Sequence, residues 1–346
     1  MPEIGRGELS RDQQTERLLR FFSTARGIDA FHGKRVEDVF KDEGHGREFL
    51  DGMTQEDFFS LLNGTNGILR GKPKTEWTMD GGEVTLQGFS ESDVPPREAD
   101  KRPLFEQTFN AIKQMNQEGR ALEDIALLAG ASINAIHAYE DANGRTSRLV
   151  YTLLASGYQE QDKTRLNTLL GEDGRESLDV SPSFVYRYLN DTVGAELGIA
   201  DATKNTQHVT TTFYEGRSVD LGFDSGVPEE NREAIRQMLR GDGGFAFLAF
   251  YLFFASASRE KEFVTDYPKH SSIRVDVLLP TMSPEQVTNI IESYWRLKKR
   301  RVELLIDCIQ HPQKDEYQID DDGEQTTLLD YFKAHIVPAQ QNQADT

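Results

Sequence analysis

The sequence predicts an all-α, mainly helical protein with a small β-hairpin and an additional helical C-terminal region. Two observations predict this class. Apolar residues recur at helical spacing through most of the chain. One glycine-rich turn also separates two short segments of high β propensity. The 346 residues favour about two domains, and the 37% hydrophobic content is enough for a buried core.

Helical spacing first occurs in residues 10–24 and 46–62, which predict an N-terminal helical layer. The segments Thr75–Met79 and Glu83–Gln87 then flank the glycine-rich turn at residues 80–82. This pattern predicts two antiparallel strands joined by a tight turn.

Three helices are predicted in the middle of the chain, over residues 104–116, 122–137 and 144–157. The second is rich in alanine, which suits close packing against neighbouring helices. The third is stopped by the glycine at its end. A short polar loop, residues 139–143, joins the second helix to the third.

Beyond residue 174 the pattern is less regular. The predicted helices are, in order, 182–197, 229–240, 245–257, 284–310 and 328–336. The third of these is strongly apolar but too short to cross a bilayer, so we expect it to be buried in the protein. The basic run RLKKRR within the long fourth helix predicts a solvated helix face, with a phosphate or partner site as the alternative.

The net charge argues against one broad class of function. The chain has 39 basic and 58 acidic residues, a formal net charge of −19. Such a charge repels nucleic-acid backbones and anionic lipid at long range. Cys308 is the only cysteine, which rules out an internal disulfide and predicts a small buried side chain. The N-terminus lacks the apolar segment of a classical secretory signal.

The most informative segment is Ile136–Arg148, with the sequence IHAYEDANGRTSR. It places His137 at the end of one predicted helix and Arg145 and Arg148 in the first turn of the next. A helix N-terminus carries partial positive charge and favours anions. Two cations at that position, three residues apart and therefore on one face, predict a negatively charged ligand between them.

The neighbouring residues predict that this ligand is a polyphosphate. Free backbone N–H groups at a helix start bind phosphate, and Gly144 lets the phosphate approach the backbone closely. Asn143 offers an amide donor. Asp141 offers an oxygen ligand of the kind that holds Mg²⁺ together with phosphate oxygens. His137 is the candidate general base, because histidine accepts protons near neutral pH.

This segment resembles the signature of the Fic/Doc family: histidine, any residue, aromatic, any residue, acid, glycine or alanine, asparagine, glycine, arginine, any two residues, arginine. The matching positions are His137, Tyr139, Asp141, Ala142, Asn143, Gly144, Arg145 and Arg148. The chain departs from the commonest family pattern with Ala138 in place of proline, Tyr139 in place of phenylalanine and Ala142 in place of glycine. None of these departures removes a chemical group.

The resemblance implies a protein adenylyltransferase, which transfers AMP from Mg²⁺-ATP to a serine, threonine or tyrosine hydroxyl and releases pyrophosphate. The implied roles, carried over position by position, are base for His137, Mg²⁺ ligand for Asp141, α-phosphate binding for Asn143 and Gly144, and β- and γ-phosphate binding for Arg145 and Arg148.

The resemblance covers roughly residues 50–200 and implies a β-hairpin flap before the motif. In the family this flap docks the target segment as an added strand. The hairpin predicted at residues 75–87 lies about where the flap is expected. Thr75, Trp77 and Thr78 are therefore candidate docking residues.

Several alternatives stay open at this point. Gly144 favours nucleotidyl transfer over the kinase-like Doc branch, which has lysine there, but the motif does not distinguish ATP from UTP, GTP or a CDP-linked donor. A Fic fold that binds nucleotide or a partner without turnover is a second alternative, and a toxin or effector is a third. Many family members are inhibited by a glutamate that pairs with the second arginine. Glu215, in TTFYEG, is the candidate here.

The predicted organisation is an N-terminal helical extension over residues 1–50, a Fic-like catalytic domain over 51–200 and a C-terminal helical region over 201–346 that regulates the enzyme or selects targets. The expected partners are ATP and a target protein, with no nucleic acid and no membrane span; a homo-oligomer or an antitoxin-like regulator is left open. The expected location is the cytoplasm, or a host cell if the protein is an effector.

Overall fold

The computed structural model describes residues 11–79, 95–156, 180–182, 185–186, 188–189, 192–193, 284–321 and 323–336. The chain divides into two units. The first consists of Met1–Gly82, Arg102–Phe184 and Leu305–Thr346, and the second of Glu83–Lys101 and Val185–Leu304. The three predicted domains stay a prediction.

The N-terminal part of the first unit contains the helices α1 (Arg11–Thr24), α2 (Val36–Val39), α3 (Glu43–Gly52) and α4 (Gln55–Arg70). The predicted helix over residues 46–62 is therefore two helices. The chain breaks between them because Thr54 caps α4: its hydroxyl accepts the N–H of Asp57 at 3.1 Å, and the Asp57 carboxylate accepts the N–H of Thr54 at 3.0 Å. Such a reciprocal capping box satisfies two donors that a helix start leaves unpaired.

The middle of the chain forms α5 (Glu98–Gln117), α6 (Leu122–Ile136) and α7 (Asn143–Ser156). The bounds of α6 and α7 agree with the predicted helices to within a residue. Helix α5 begins six residues before its predicted start, with Pro103 inside it. Proline there removes one backbone hydrogen bond without ending the helix.

The C-terminal part contains α8 (Pro284–Gln310), β1 (Gln318–Asp321), β2 (Glu324–Thr327) and α9 (Leu328–Ile336). The bounds of α8 and α9 match the predicted ones. Strands β1 and β2 pair antiparallel, with Gln318 opposite Thr327, and Gly323 takes a φ of +90° in the turn. Among the described residues, no helix is long and apolar enough to cross a membrane.

Helix α6 lies at the centre of the first unit. It is apolar on every side, as expected of a fully surrounded helix, and residues 125–129 are almost completely buried. Helix α7 packs along α6, and α4 packs against both α1 and α7. The apolar side chains of α7 that pack inward include Leu149, Val150, Leu153 and Leu154. Each fully buried aliphatic side chain contributes about 2 kcal/mol to stability.

The mainly helical class with one small hairpin is confirmed, but the hairpin lies at β1 and β2 and the predicted strand Thr75–Met79 is wrong. Residues Lys74–Glu76 form a 3₁₀ turn. The Trp77 ring packs so closely on α4 that a Cβ on Gly67 would lie 2.1 Å from it, and its indole N–H donates to the carbonyl of Lys72 at 3.1 Å. Strand propensity is easily overridden by such packing.

The basic run in α8 is also not a uniformly solvated face. Lys298 and Arg301 are fully buried in the second unit, and the Arg301 guanidinium lies 3.8 Å from the centre of the Tyr186 ring. These two residues are three apart and therefore share one side of the helix. Cys308 is buried as predicted, and burial raises the pKa of its thiol.

Four predictions lie wholly outside the described residues. They are the strand at 83–87, the helices at 229–240 and 245–257, and the placement of Glu215. The helix predicted over 182–197 is described only in part, and residues 185–186, 188–189 and 192–193 are helical.

Candidate active site

His137 ends α6 in an unusual backbone conformation. It takes φ 50° and ψ 58°, the left-handed region, while its N–H donates to the carbonyl of Ile133 at 3.1 Å. Ala142, just before α7, is also left-handed, with φ 66°. A non-glycine residue in this region costs about 1 kcal/mol or more. The loop 137–142 is therefore strained at both ends, and contacts from the rest of the unit must hold it.

Asn143 supplies one of these contacts. Its side-chain amide donates to the carbonyl of Tyr139 at 2.6 Å, and its side-chain oxygen accepts the N–H of Tyr139 at 3.1 Å. The residue as a whole is 2% exposed. Asn143 therefore closes the loop from within, which leaves one amide hydrogen and the backbone N–H for the phosphate contact that the sequence predicts.

Helix α4 supplies the other contacts, through residues that the sequence analysis missed. Asn63 accepts the Tyr139 hydroxyl at 2.9 Å, and Asn66 donates to the carbonyl of Asp141 at 2.9 Å. Arg70 forms an ion pair with Glu140 at 2.7 Å. Residues 63, 66 and 70 share one face of α4. The signal was available, because asparagine is a poor residue for the interior of a buried helix unless its amide has a specific partner.

The start of α7 leaves backbone donors available to an anion. Its first backbone hydrogen bond runs from the N–H of Thr146 to the carbonyl of Ala142 at 2.8 Å. The preceding N–H groups have no acceptor within the helix, and the N-cap residue Ala142 has no side-chain oxygen. A Cβ on Gly144 would lie 3.4 Å from the nearest guanidinium nitrogen of Arg148. The Arg148 guanidinium therefore lies beside the first turn of α7.

Asp141 and Arg145 form an ion pair at the mouth of this site. One oxygen of Asp141 accepts the N–H of Ala142 at 2.6 Å, and the other accepts Arg145 Nη2 at 3.0 Å. Burial by itself raises the pKa of Asp141, but the charge and hydrogen bond of Arg145, the Ala142 N–H and the charge of Arg70 outweigh it, so the pKa lies below its usual range. The carboxylate is held ionised.

The Asp141 carboxylate by itself supplies too few oxygen ligands for Mg²⁺, so it fits Mg²⁺ only together with the oxygens of a phosphate ligand. The Asp141 side chain is 66% exposed, so its remaining lone pairs are accessible. No group of three or more histidine, cysteine or acidic side chains in the described ranges could hold a metal. Mg²⁺ is commonly bound by one or two carboxylates plus substrate phosphates and water, and a single carboxylate matches that mode.

The charges of this site also act on an arginine of α1. Burial, followed by the positive charge of Arg145, lowers the pKa of Arg17, and the charge of Asp141 opposes this shift. The Nη1 atom of Arg145 is buried and has no hydrogen-bond acceptor among the described residues. Nothing in the spacing of α1 distinguishes Arg17 from the other polar residues of that helix, so the sequence carried no signal for it.

The structure brings together His137, Asp141, Asn143, Gly144, Arg145 and Arg148 at the junction of α6 and α7. It does not bring the three candidate docking residues into a strand. Thr75 and Thr78 are exposed, and Trp77 packs on Gly67 of α4.

No protein-family model matches the chain, and comparisons with curated proteins and with solved structures likewise give no match. The functional argument therefore rests on the motif and on the geometry at the start of α7.

Proposed function

We propose that the protein is an adenylyltransferase of the Fic/Doc type that transfers AMP from ATP to a hydroxyl of a target protein. The observation that carries this proposal is the junction of α6 and α7. Five residues, 138–142, separate the histidine that follows α6 from a helix start that bears Arg145 and Arg148. A general base and an anion-binding helix start are the two parts that phosphoryl-group chemistry requires.

The phosphates of ATP would bind at the start of α7. The backbone N–H groups before Thr146 point out of the helix end, and the guanidinium of Arg148 lies beside Gly144. These donors would neutralise the charge that develops on the phosphates. Asp141 would hold Mg²⁺, which when bound supplies further neutralisation of the phosphate oxygens.

His137 would act on the target hydroxyl. A serine, threonine or tyrosine hydroxyl gives its proton to an imidazole nitrogen of His137 as its oxygen attacks the α-phosphorus. The bond between the α-phosphorus and the bridging oxygen breaks, and pyrophosphate leaves. The left-handed backbone at His137 ends α6 and begins the loop that leads directly to the start of α7, which supports this role.

The direct test is label transfer. Purified protein is incubated with Mg²⁺, a cell lysate and ATP that carries its label at either the α- or the γ-phosphate. We expect transfer of the α-label to the protein itself or to a lysate protein, with no transfer of the γ-label. Transfer of the γ-label would instead indicate a kinase and contradict the proposal.

A matched pair of histidine variants tests the role of His137. His137→Ala is expected to lose transfer by several orders of magnitude while it still binds ATP. His32→Ala is the control, because His32 is also left-handed at the end of a helical turn, with φ 49°, but has an exposed side chain. Equal losses in the two variants would contradict a specific role for His137.

Glu215→Gly is tested in parallel, since the sequence makes Glu215 a candidate inhibitor. Absence of transfer in both the wild type and Glu215→Gly, under conditions in which both bind ATP, would favour the alternative of a nucleotide-binding protein without turnover.

A further inference from the structure

Asn66 of α4 binds both sides of the short turn that carries Asp141. Its side-chain amide nitrogen donates to the backbone carbonyl of Asp141 at 2.9 Å and to the hydroxyl of Thr146 at 3.2 Å. An amide nitrogen has two hydrogens, so both are used. The residue is 2% exposed. Because it is buried, water does not readily replace these bonds when the side chain is removed.

The carbonyl that Asn66 binds belongs to the same peptide unit as the N–H of Ala142. A peptide unit is planar, and in the trans form its C=O and N–H point in opposite directions. The N–H of Ala142 donates to the Asp141 carboxylate at 2.6 Å. By fixing the carbonyl of this unit, Asn66 therefore also fixes the direction of the N–H that holds the carboxylate.

The peptide unit between Asp141 and Ala142 is under strain that a rotation would relieve. Ala142 has a φ of 66°, which is unfavourable for a residue with a Cβ. Flipping the peptide unit would bring this φ to a negative value, and it would also exchange the directions of the C=O and the N–H. The carbonyl oxygen would then face the Asp141 carboxylate and repel it. Asn66 opposes this rotation, because the flip would break its bond to the carbonyl.

Thr146 connects Asn66 to the other side of the turn. The Thr146 hydroxyl accepts from Asn66 and donates to the carbonyl of Ala142 at 2.8 Å. The Thr146 N–H donates to the same carbonyl at 2.8 Å. Hydrogen bonds therefore hold the peptide units on both sides of Ala142, and Asn66 contributes directly to one and through Thr146 to the other.

We propose that Asn66 is a positioning residue that keeps the Asp141 carboxylate in the orientation that binds Mg²⁺ beside the first turn of α7. This inference rests on the proposed function, because it concerns the same site. Asn66 acts through the peptide unit between Asp141 and Ala142 and does not itself contact the metal ion or the nucleotide. Removing its amide should therefore weaken the binding of Mg²⁺-ATP more than that of metal-free ATP, which depends on the N–H groups and arginines of α7.

The test measures the dissociation constant of ATP by titration calorimetry in the full-length protein, once with Mg²⁺ and once with EDTA. Asn66→Leu has a side chain of similar size without a donor. We expect it to lose Mg²⁺-ATP affinity roughly 10- to 100-fold, the usual effect of removing a group that orients a metal ligand. Its affinity for metal-free ATP should fall much less.

A second variant covers the case in which Asn66→Leu does not fold. The side chain of Asn66→Ser is too short to reach the two acceptors, and its hydroxyl can bond to a carbonyl one turn back within α4. The same selective loss of Mg²⁺-ATP affinity is expected for this variant.

Asn116→Leu is the matched control. Asn116 is also a buried asparagine in a helix, and its amide donates to the carbonyl of Arg47 at 3.2 Å and to the carboxylate of Asp51 at 2.7 Å. None of these residues belongs to the motif. Asn66→Leu and Asn116→Leu should both lower the melting temperature, because each leaves acceptors without a donor. Only Asn66→Leu should reduce the preference for Mg²⁺-ATP over metal-free ATP.

Two results would overturn the proposal: equal changes of Mg²⁺-ATP and metal-free ATP affinity in Asn66→Leu, or the same change of preference in Asn116→Leu. Failure of the proposed function has a different signature. In that case the wild type binds ATP under neither condition, and the role of Asn66 is overturned with it. A wild type that binds ATP equally well with Mg²⁺ and with EDTA would overturn the positioning role alone.

Discussion

Arg145 donates a hydrogen bond to the carboxylate of Asp141 at 3.0 Å, across the first turn of α7. The residues are four apart and belong to the same motif, so the pair joins the predicted cation of the phosphate site to the predicted Mg²⁺ ligand. In the proposed function, Arg145 would divide its hydrogen bonds between the Asp141 carboxylate and the phosphates.

The Asp141 pair predicts a pH-dependent contribution to stability. The pKa of Asp141 is lowered on folding from an ordinary value of 3.8. The ionised Asp141 carboxylate therefore contributes its full stabilisation of the folded protein above about pH 4 to 5. This stabilisation is lost as the pH falls through the lower pKa that Asp141 has in the folded protein. Asp141→Asn should lower the melting temperature at pH 7, and the difference from wild type should shrink below pH 4.

The control for this prediction is Asp29→Asn. Asp29 pairs with Lys74 at 2.6 Å, and both of these side chains are more than half exposed, whereas Arg145, the partner of Asp141, is only 21% exposed. Such exposed pairs add little stability, so we expect a small change at pH 7. A difference between Asp141→Asn and wild type that stays constant from pH 7 to pH 3 would be inconsistent with the lowered pKa.

The hydroxyl of Tyr139 has a specific partner in α4. The Tyr139 side chain is buried, and its hydroxyl donates to the Asn63 side chain at 2.9 Å. Tyr139→Phe should cost about 1 to 2 kcal/mol in urea unfolding, because the Asn63 carbonyl loses its donor. Adding Asn63→Leu to Tyr139→Phe should restore part of this loss. Purely additive losses in the double variant would count against a coupled pair.

Ala142 is held in a left-handed conformation that glycine adopts without cost. Relief of this strain in Ala142→Gly should raise the free energy of unfolding by up to about 1 kcal/mol. Loss of the buried methyl group of alanine offsets part of this gain. Ala138→Gly is the matched control, since Ala138 is also buried but does not have a positive φ. We expect the control to be destabilised. Equal destabilisation of both variants would show that the strain at residue 142 is negligible.

The close approach of Trp77 to Gly67 predicts a sharp steric effect. A Cβ at position 67 would lie 2.1 Å from Cδ1 of Trp77, so Gly67→Ala must displace the indole. We expect a loss of about 1 to 3 kcal/mol in stability and a red shift of Trp77 fluorescence, measured with Trp295 replaced by phenylalanine.

Two companion variants make this test specific. In Gly52→Ala the added Cβ has no neighbouring atom within 4 Å, so this variant should not lose stability through steric overlap. In Gly67→Ala/Trp77→Ala the steric part of the loss should disappear, and the double variant should be no less stable than Trp77→Ala alone. A further loss in the double variant would contradict the packing of Trp77 on Gly67.

The elements that could be predicted are those with a local cause. Helices α6, α7, α8 and α9 were predicted to within a residue or two because their apolar spacing and end signals lie within the segments themselves. The structure of residues 75–79 was predicted wrongly as a strand, because the placement of Trp77 depends on Gly67, which belongs to another element. The burial of Lys298 and Arg301 was missed for the same kind of reason.

The sequence by itself determined the helical class, the segment from His137 to Arg148 and the chemistry that its residue types permit. Only the tertiary structure decided what holds that segment in place. Asn66 is separated from Asp141 by 75 residues, and Asn63 from Tyr139 by 76. The asparagines in a buried helix indicate that partners exist, but which residues are the partners depends on how helices pack and not on the pattern along any one of them.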